Sequence, residues 1–413
     1  QSGHKASLHT SDVSSSTTWL TETVDTSKGF SDFYSRAIAI DSNNNPHIAY
    51  GGNHLYYVHY NGSSWVYETV DSSSGVGYYA SIALDTDGKV HISYYDDTHS
   101  ALKYATNAGG TWVKKTVDSS GKVGEYTSIA LDTAGKAHIS YYDDTHSALK
   151  YATNASGTWV TTTVDSSGDV GEYTSIALDT DDKAYISYYD ATNYALKYAT
   201  NASGTWVKKT VDSSRKVGEY TSIALDTDDK AHISYYDRSN YALKYATNAS
   251  GTWVTTTADS SVYAGAGEYT SIALDASGNA HISHFDDVSA GLSYTTNASG
   301  TWVTTTVESS IYGAMGVYTS IALDTAGKAH ISYYDDTHSA LKYATNASGT
   351  WVTTTVDSSG NVGYFTSIAL DASGNAHISY SDSTLSYSGT NSDLLYATNA
   401  SGTWVTTTVD SSG

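Results

Sequence analysis

From about residue 36 to its end the chain is a succession of short segments in which apolar and polar residues alternate, each closed by Gly, Asn, Asp or Ser. One unit reads Ser128-Ile-Ala-Leu-Asp132, Ala137-His-Ile-Ser-Tyr-Tyr-Asp143, Leu149-Lys-Tyr-Ala-Thr153 and Thr158-Trp-Val-Thr-Thr-Thr-Val164. A period of two, carried by Val, Ile, Thr and Tyr, predicts four β-strands. The intervening Asp132-Thr-Ala-Gly135, Asp144-Thr-His-Ser, Asn154-Ala-Ser-Gly157 and Asp165-Ser-Ser-Gly168 supply the residues that tight turns need. No helix is required.

The unit repeats. Tryptophans at 19, 65, 112, 159, 206, 253, 302, 351 and 404 are spaced by 46 to 53 residues, and residues 128–168 and 320–360 are identical. Four antiparallel strands per period of this size predict an all-β, eight-bladed β-propeller of four-stranded blades. The Ser-Ile-Ala-Leu-Asp strand is expected innermost, where small side chains suit the crowded axis, and the Trp strand outermost, with Trp packing between blades.

Eight inner strands are present, the first being the degenerate Arg36-Ala-Ile-Ala-Ile-Asp41 in which Arg36 is read at the Ser position, against nine Trp strands. The division is therefore residues 1–30, a segment with an extra outer strand, and 31–413, the propeller. Either the strand of Trp19, Leu20 and Val24 or that of Trp404, Val405 and Val409 completes the last blade. The other is spare, and an unpaired strand can extend a blade or pair with another molecule's edge and propagate into a filament.

Composition narrows the partners. The net charge of −22 argues against nucleic acid and anionic membranes, and no apolar run is long enough to span a bilayer as a helix. Without Cys there are no disulfides, cysteine metal sites or cysteine nucleophile. The single Met and the richness in Ser, Thr, Asn and Tyr suit an extracellular protein whose signal peptide has been removed.

Near-identical blades present the same groups repeatedly, whereas a catalytic centre needs different groups in different roles, so a non-enzymatic scaffold or multivalent binder is expected. The recurrent aspartates at 41, 85, 132, 179, 226, 275, 324 and 371 cap their hairpins, although Asp85-Thr-Asp-Gly88 resembles part of a calcium loop. No other cofactor is suggested. The strand histidines at 47, 91, 138, 232, 281, 330 and 377, with Tyr185 in the remaining blade, are expected to be structural and hydrogen-bonded between blades. Glu125, Glu172, Glu219 and Glu268, each before a Tyr, form an acidic rim near the axial channel.

The insertions all fall on the end carrying the blade-to-blade links. They nominate Tyr263, Tyr312, Met315 and Tyr387 as ligand-binding residues. Asn61, Asn154, Asn201, Asn248, Asn297, Asn346 and Asn399 head Asn-x-Ser sequons in the third hairpin and are candidate glycosylation sites.

The Ser-Ile-Ala-Leu-Asp, His-Ile-Ser-Tyr-Tyr-Asp, Leu-Lys-Tyr-Ala-Thr-Asn and Gly-Thr-Trp segments resemble the repeats of secreted bacterial and archaeal β-propellers of the sialidase-like or Asp-box kind. Asn-Ala-Ser-Gly-Thr-Trp lacks the box's Asp and one residue before Trp, so the resemblance implies a fold and no activity. A sialidase needs three converging arginines. Arg36, Arg215 and Arg238 occupy different repeat positions. The favoured expectation is a structural or adhesive surface protein that polymerises with its own copies by strand addition; the alternative is a multivalent lectin for surface glycans.

Overall fold

The computed structural model describes residues 37–260, 265–310, 313–385 and 391–410, and these form thirty-two strands in eight four-stranded sheets. Within each sheet the neighbours follow chain order and pair antiparallel, as in the third blade: Val123–Leu131, Ala137–Asp143, Ala148–Thr153 and Val160–Asp165. The second strand of that blade is buried along its whole length, whereas the outer strand alternates toward solvent. That gradient is the reason Ala, Ile and Tyr fill the second strand and Thr the fourth.

The C-terminal strand, Val405–Asp410, is the outer strand of the last blade, whose inner strand is Val362–Leu370. Val405 faces solvent, while Val409, Leu394 and Tyr396 pack against Ile38, Ile48 and Tyr50 of the first blade. Trp65 meets Tyr396 edge-on at 4.9 Å, and Ala372 N–H donates to Asn44 Oδ1 at 3.1 Å. Among the described residues the ring thus closes by side-chain packing and loop hydrogen bonding, and the last blade's four strands all come from its own repeat. Residues 1–30, with Trp19, Leu20 and Val24, lie outside the described residues, as does Arg36. Pairing of Ile38 with Ile48, against Ile129 with Ile139 in the third blade, puts Ala37 at the Ser128 position and Arg36 one residue earlier than the sequence reading had it.

The core lies between blades. Leu102 and Tyr104 of the second blade join Val123, Ile129, Ile139 and Tyr141 of the third, and equivalent clusters recur around the ring. Burying each such Leu contributes roughly 2 kcal/mol. Trp159 stands edge-on to Tyr104 at 4.9 Å, confirming the inter-blade role of the tryptophans. It lies just before the outer strand, however, and of the eight described tryptophans only Trp65 is inside one.

A buried ion pair also crosses the interface. Lys150 Nζ is 2.5 Å from Asp118 Oδ2 of the preceding blade, which also accepts from Tyr141 O–H at 2.7 Å. Lys103 with Asp71, Lys197 with Asp165, Lys244 with Asp212 and Lys342 with Glu308 repeat it. Blades approach closely enough that a Cβ on Gly124, at φ +114°, would stand 2.8 Å from Leu102 Cα; only glycine fits.

The histidines are structural in a way other than expected, because their bonds stay within a blade. His138 Nδ1 is 2.5 Å from Tyr151 Oη, and Nε2 is 3.4 Å from Asp132 Oδ2. A neutral ring protonated at Nε2 satisfies both. Asp132 Oδ1 meanwhile accepts from Ala134 N–H and Lys136 N–H, and Asp85 Oδ1 does the same for Asp87 and Lys89, so these carboxylates cap their hairpins.

Candidate functional site

The inner strand starts five residues before the alternating pattern announces it. In the third blade Ser128 pairs with Ser140 and Glu125 with Tyr142, so Tyr126 and Thr127 together oppose the single Tyr141. This β-bulge holds Tyr126 at φ 53°, a left-handed conformation that costs a side-chain-bearing residue about 1–3 kcal/mol. The same conformation is adopted by Tyr79, Tyr173, Tyr220, Tyr269, Tyr318 and Phe365.

The bulge turns these rings into the axial channel, where they touch in sequence. Tyr79, Tyr126, Tyr173 and Tyr220 follow one another at 5.2 Å, Tyr220 to Tyr269 is 5.0 Å, Tyr269 to Tyr318 is 4.9 Å and Tyr318 to Phe365 is 4.4 Å. Below them stand two tiers of hydroxyls. Thr127 Oγ1 donates to Ser93 Oγ of the previous blade at 2.7 Å, and Ser128 Oγ accepts from Ile176 N–H of the next at 3.4 Å. Tyr126, Tyr173, Tyr220, Tyr269, Tyr318 and Phe365 line, with these hydroxyls, a cavity of about 430 Å³.

Aromatic faces over a hydroxyl-rich floor suit a ligand with both C–H faces and hydroxyls. Burial, with Glu219 and Glu172 beside it, pushes the Tyr173 phenol up to about 12, so it remains a hydrogen-bond donor at neutral pH. The expected acidic rim surrounds the rings unevenly. Glu125 pairs with Lys122 at 2.8 Å and Glu219 with Arg238 at 3.4 Å. Glu172 is raised by burial and by Asp169, and Glu268 by burial and by Asp287. Tyr78, Val317 and Tyr364 replace the glutamate in other blades.

Of the nominated ligand residues, Tyr263, Tyr312 and Tyr387 lie outside the described residues. Met315 opens an inner strand, Met315–Leu323, and is buried opposite Asp335, where five other blades have Val and the sixth has Ala266. Asn154 Oδ1 accepts from Ala137 N–H at 2.8 Å, a bond repeated by Asn201, Asn248, Asn297, Asn346 and Asn399. Asn107, in Asn-Ala-Gly and so outside a sequon, bonds Val90 N–H identically, which shows that the turn uses this Asn irrespective of a glycan. Asn61 is exposed and instead accepts from Ser63 N–H and Ser64 N–H.

The structure also assembles what the sequence reading kept apart. Arg215 and Arg238 line one pocket of about 520 Å³ with Lys216, Tyr236, Tyr241 and Glu268, at the ring end that carries the tyrosine mouth. Aligning the repeats would have exposed it, because each arginine replaces a residue of another charge or size in the sister blades.

No protein-family model matches the chain, and no curated protein matches its sequence. Among solved structures, a polysaccharide lyase of the PL25 ulvan lyase family, bound to -[GlcA(1-4)Rha3S]-, is 12% identical with a TM-score of 0.52, over 89% of this chain and 94% of that one. A prolyl endopeptidase is 13% identical with a TM-score of 0.50, over 87% of this chain and 55% of that one. The six-bladed fungal lectin of Aleuria aurantia is 14% identical with a TM-score of 0.37, over 67% of this chain and 96% of that one. At these identities the first two likenesses bear on the fold alone, and the third carries no argument.

Proposed function

We propose that this protein is an extracellular, non-catalytic carbohydrate-binding propeller that takes a saccharide into the tyrosine-walled mouth of its axial channel. The observation that carries this reading is the ring of aromatic side chains, each held in a costly backbone conformation, over a floor of Thr and Ser hydroxyls. Repetition supports binding over turnover, since near-identical blades present the same Tyr, Thr and Ser around the cavity rather than different groups in different roles. Self-assembly, the expectation favoured from the sequence, is kept as a second reading below.

The test is titration calorimetry against neutral and acidic hexasaccharides. The wild type is expected to bind, and Tyr220→Ala with Tyr269→Ala to weaken binding at least 100-fold, the loss of two stacking faces at about 1.4 kcal/mol each. Tyr220→Phe with Tyr269→Phe should retain most of it. Unchanged affinity in the alanine variant sinks the reading.

One observation supports self-assembly as a second reading: all eight blades have four strands without residues 1–30. On this reading the Trp19 segment, which no described blade requires, adds to an exposed outer edge of another copy. Electron microscopy should show fibres in the full chain and discrete rings once residues 1–30 are removed; rings in both cases exclude strand donation.

A further inference from the structure

In an acidic protein with three arginines, two stand in one pocket of the fifth blade, and the surrounding substitutions are concerted. Arg215 occupies the link position held by Gly121, Gly168 and Gly360 elsewhere. Its φ of 133° is glycine's territory, close to the +118° of Gly168. A Cβ on Gly168 would stand 2.8 Å from Thr192 Oγ1 and 3.4 Å from its methyl carbon. In the fifth blade that threonine is Ser239, which lacks the methyl and accepts from Lys216 N–H at 3.0 Å.

Arg238 stands where the second, third, sixth and seventh blades have Asp97, Asp144, Asp287 and Asp336, and where the fourth has Ala191. The exchange changes the state of the neighbouring lysine. Lys122, the third blade's counterpart of Lys216, is held by Glu125 at 2.8 Å and Asp144 at 3.0 Å. With Arg238 in place of that aspartate and Glu219 paired to Arg238, the described residues leave no ion pair to Lys216, whose Nζ instead lies 5.3 Å from the ring centroid of Tyr194. Tyr194 and Tyr241, 46% and 50% exposed, replace the serines of the second, third and seventh blades at this position.

We propose that Arg215, Lys216 and Arg238 form an anion subsite that takes the sulfate or carboxylate of an acidic saccharide, with Tyr241 and Tyr194 offering faces to its sugar rings. Guanidinium forks match both oxyanions, and exposed tyrosines beside them favour a sugar chain over an acidic peptide. The proposal rests on the saccharide reading of the tyrosine mouth and names the class of saccharide; the two sites share no described side chain.

The test is affinity electrophoresis and calorimetry of the full chain with dextran sulfate, polygalacturonate and dextran at 0.15 M salt. Arg215→Gly with Arg238→Ala returns both positions to residues of the fourth blade, so folding is retained. Wild type should bind the sulfated or the carboxylated polymer at least 30-fold more tightly than dextran, and the double variant should lose that preference. Sulfate and carboxylate are told apart by which polymer is retained. Equal binding of dextran and the charged polymers, an undiminished preference in the double variant, or equal capture of polyglutamate overturns the proposal, the last by assigning the patch to an acidic protein. If the Tyr220→Ala, Tyr269→Ala variant keeps the preference while the arginine variant loses it, the mouth reading fails and the subsite stands; the reverse pattern removes the subsite alone.

Discussion

Asp165→Ala is expected to destabilise the ring by about 3 kcal/mol, because it takes the close carboxylate partner from a buried cation. The carboxylate accepts from Lys197, 2.5 Å away, from Lys208 at 3.0 Å, from Tyr188 O–H at 2.9 Å and from Ser167 O–H at 2.7 Å. Its side chain is wholly buried. Burial alone would raise its pKa, but Lys197, Ser167, Lys208 and Tyr188 outweigh burial and hold it well below the usual carboxylate range. Removing Asp165 leaves the Tyr188 phenol without its acceptor and the Lys197 ammonium with only Asp190, 3.6 Å away, and the Ser167 hydroxyl. The urea midpoint measures the loss, and Lys197→Met in the same chain should recover part of it by removing the orphaned charge. Asp259→Ala provides the internal comparison: the sixth blade has Ser293 in place of the lysine and His284 3.5 Å from Asp259, so no lysine is orphaned and the loss should be smaller. A shift below about 1 kcal/mol at Asp165 would refute the account.

Acid should weaken the ring in two stages. His47, His91, His138, His281, His330 and His377 are buried, and burial lowers each below its ordinary value despite the nearby aspartates. His284, fully buried between Asp259 and Thr295, shifts the same way for the same reason. A histidine held neutral in the folded state binds fewer protons than in the unfolded chain, so its contribution is complete above the unfolded value near pH 6.5 and falls as pH drops toward the folded value. Within that window each contributes a slope of at most about 1.4 kcal/mol per pH unit. The carboxylates of Asp71, Asp118, Asp165 and Asp212 are depressed by their lysines and hydroxyl partners against the opposing effect of burial. Their contribution is present above an unfolded value near 3.9 and is lost as pH falls below it. Urea midpoints measured from pH 8 to pH 3 should therefore be level above 7, decline between 6.5 and 5, and decline again below 4. A level midpoint down to pH 5 would show that the histidines protonate without cost.

Blade number and three of the four strands were legible in the sequence because their apolar residues repeat with a period of two on one buried face. In the third blade the predicted second strand, 137–143, coincides with the observed one, and the third and fourth begin within one or two residues of their observed starts. The inner strand was cut short because its outer half breaks that period: Gly124 has a positive φ, and the Tyr126 bulge shifts the register, so Val123 to Thr127 read as a loop. The tyrosines that follow the rim glutamates read as lying near the mouth of the axial channel, and the bulge that turns their rings into it leaves no period in the sequence. The basic pocket was missed differently. Arg215 and Arg238 were weighed against one enzyme's requirement for three converging arginines, whereas their meaning lies in comparison with Gly168 and Asp144 of the sister blades.

The closure between first and last blades carries a consequence for how such a chain changes over time. Each sheet is complete in itself, so adding or removing one whole period breaks no hydrogen-bonded ladder and alters only the angle at which neighbours meet. Residues 128–168 and 320–360, identical but four periods apart, offer matched ends for an exchange of four whole periods without a scar. The ring behaves as a clasped bracelet of interchangeable links, and its circumference can drift while the clasp keeps the same chemistry.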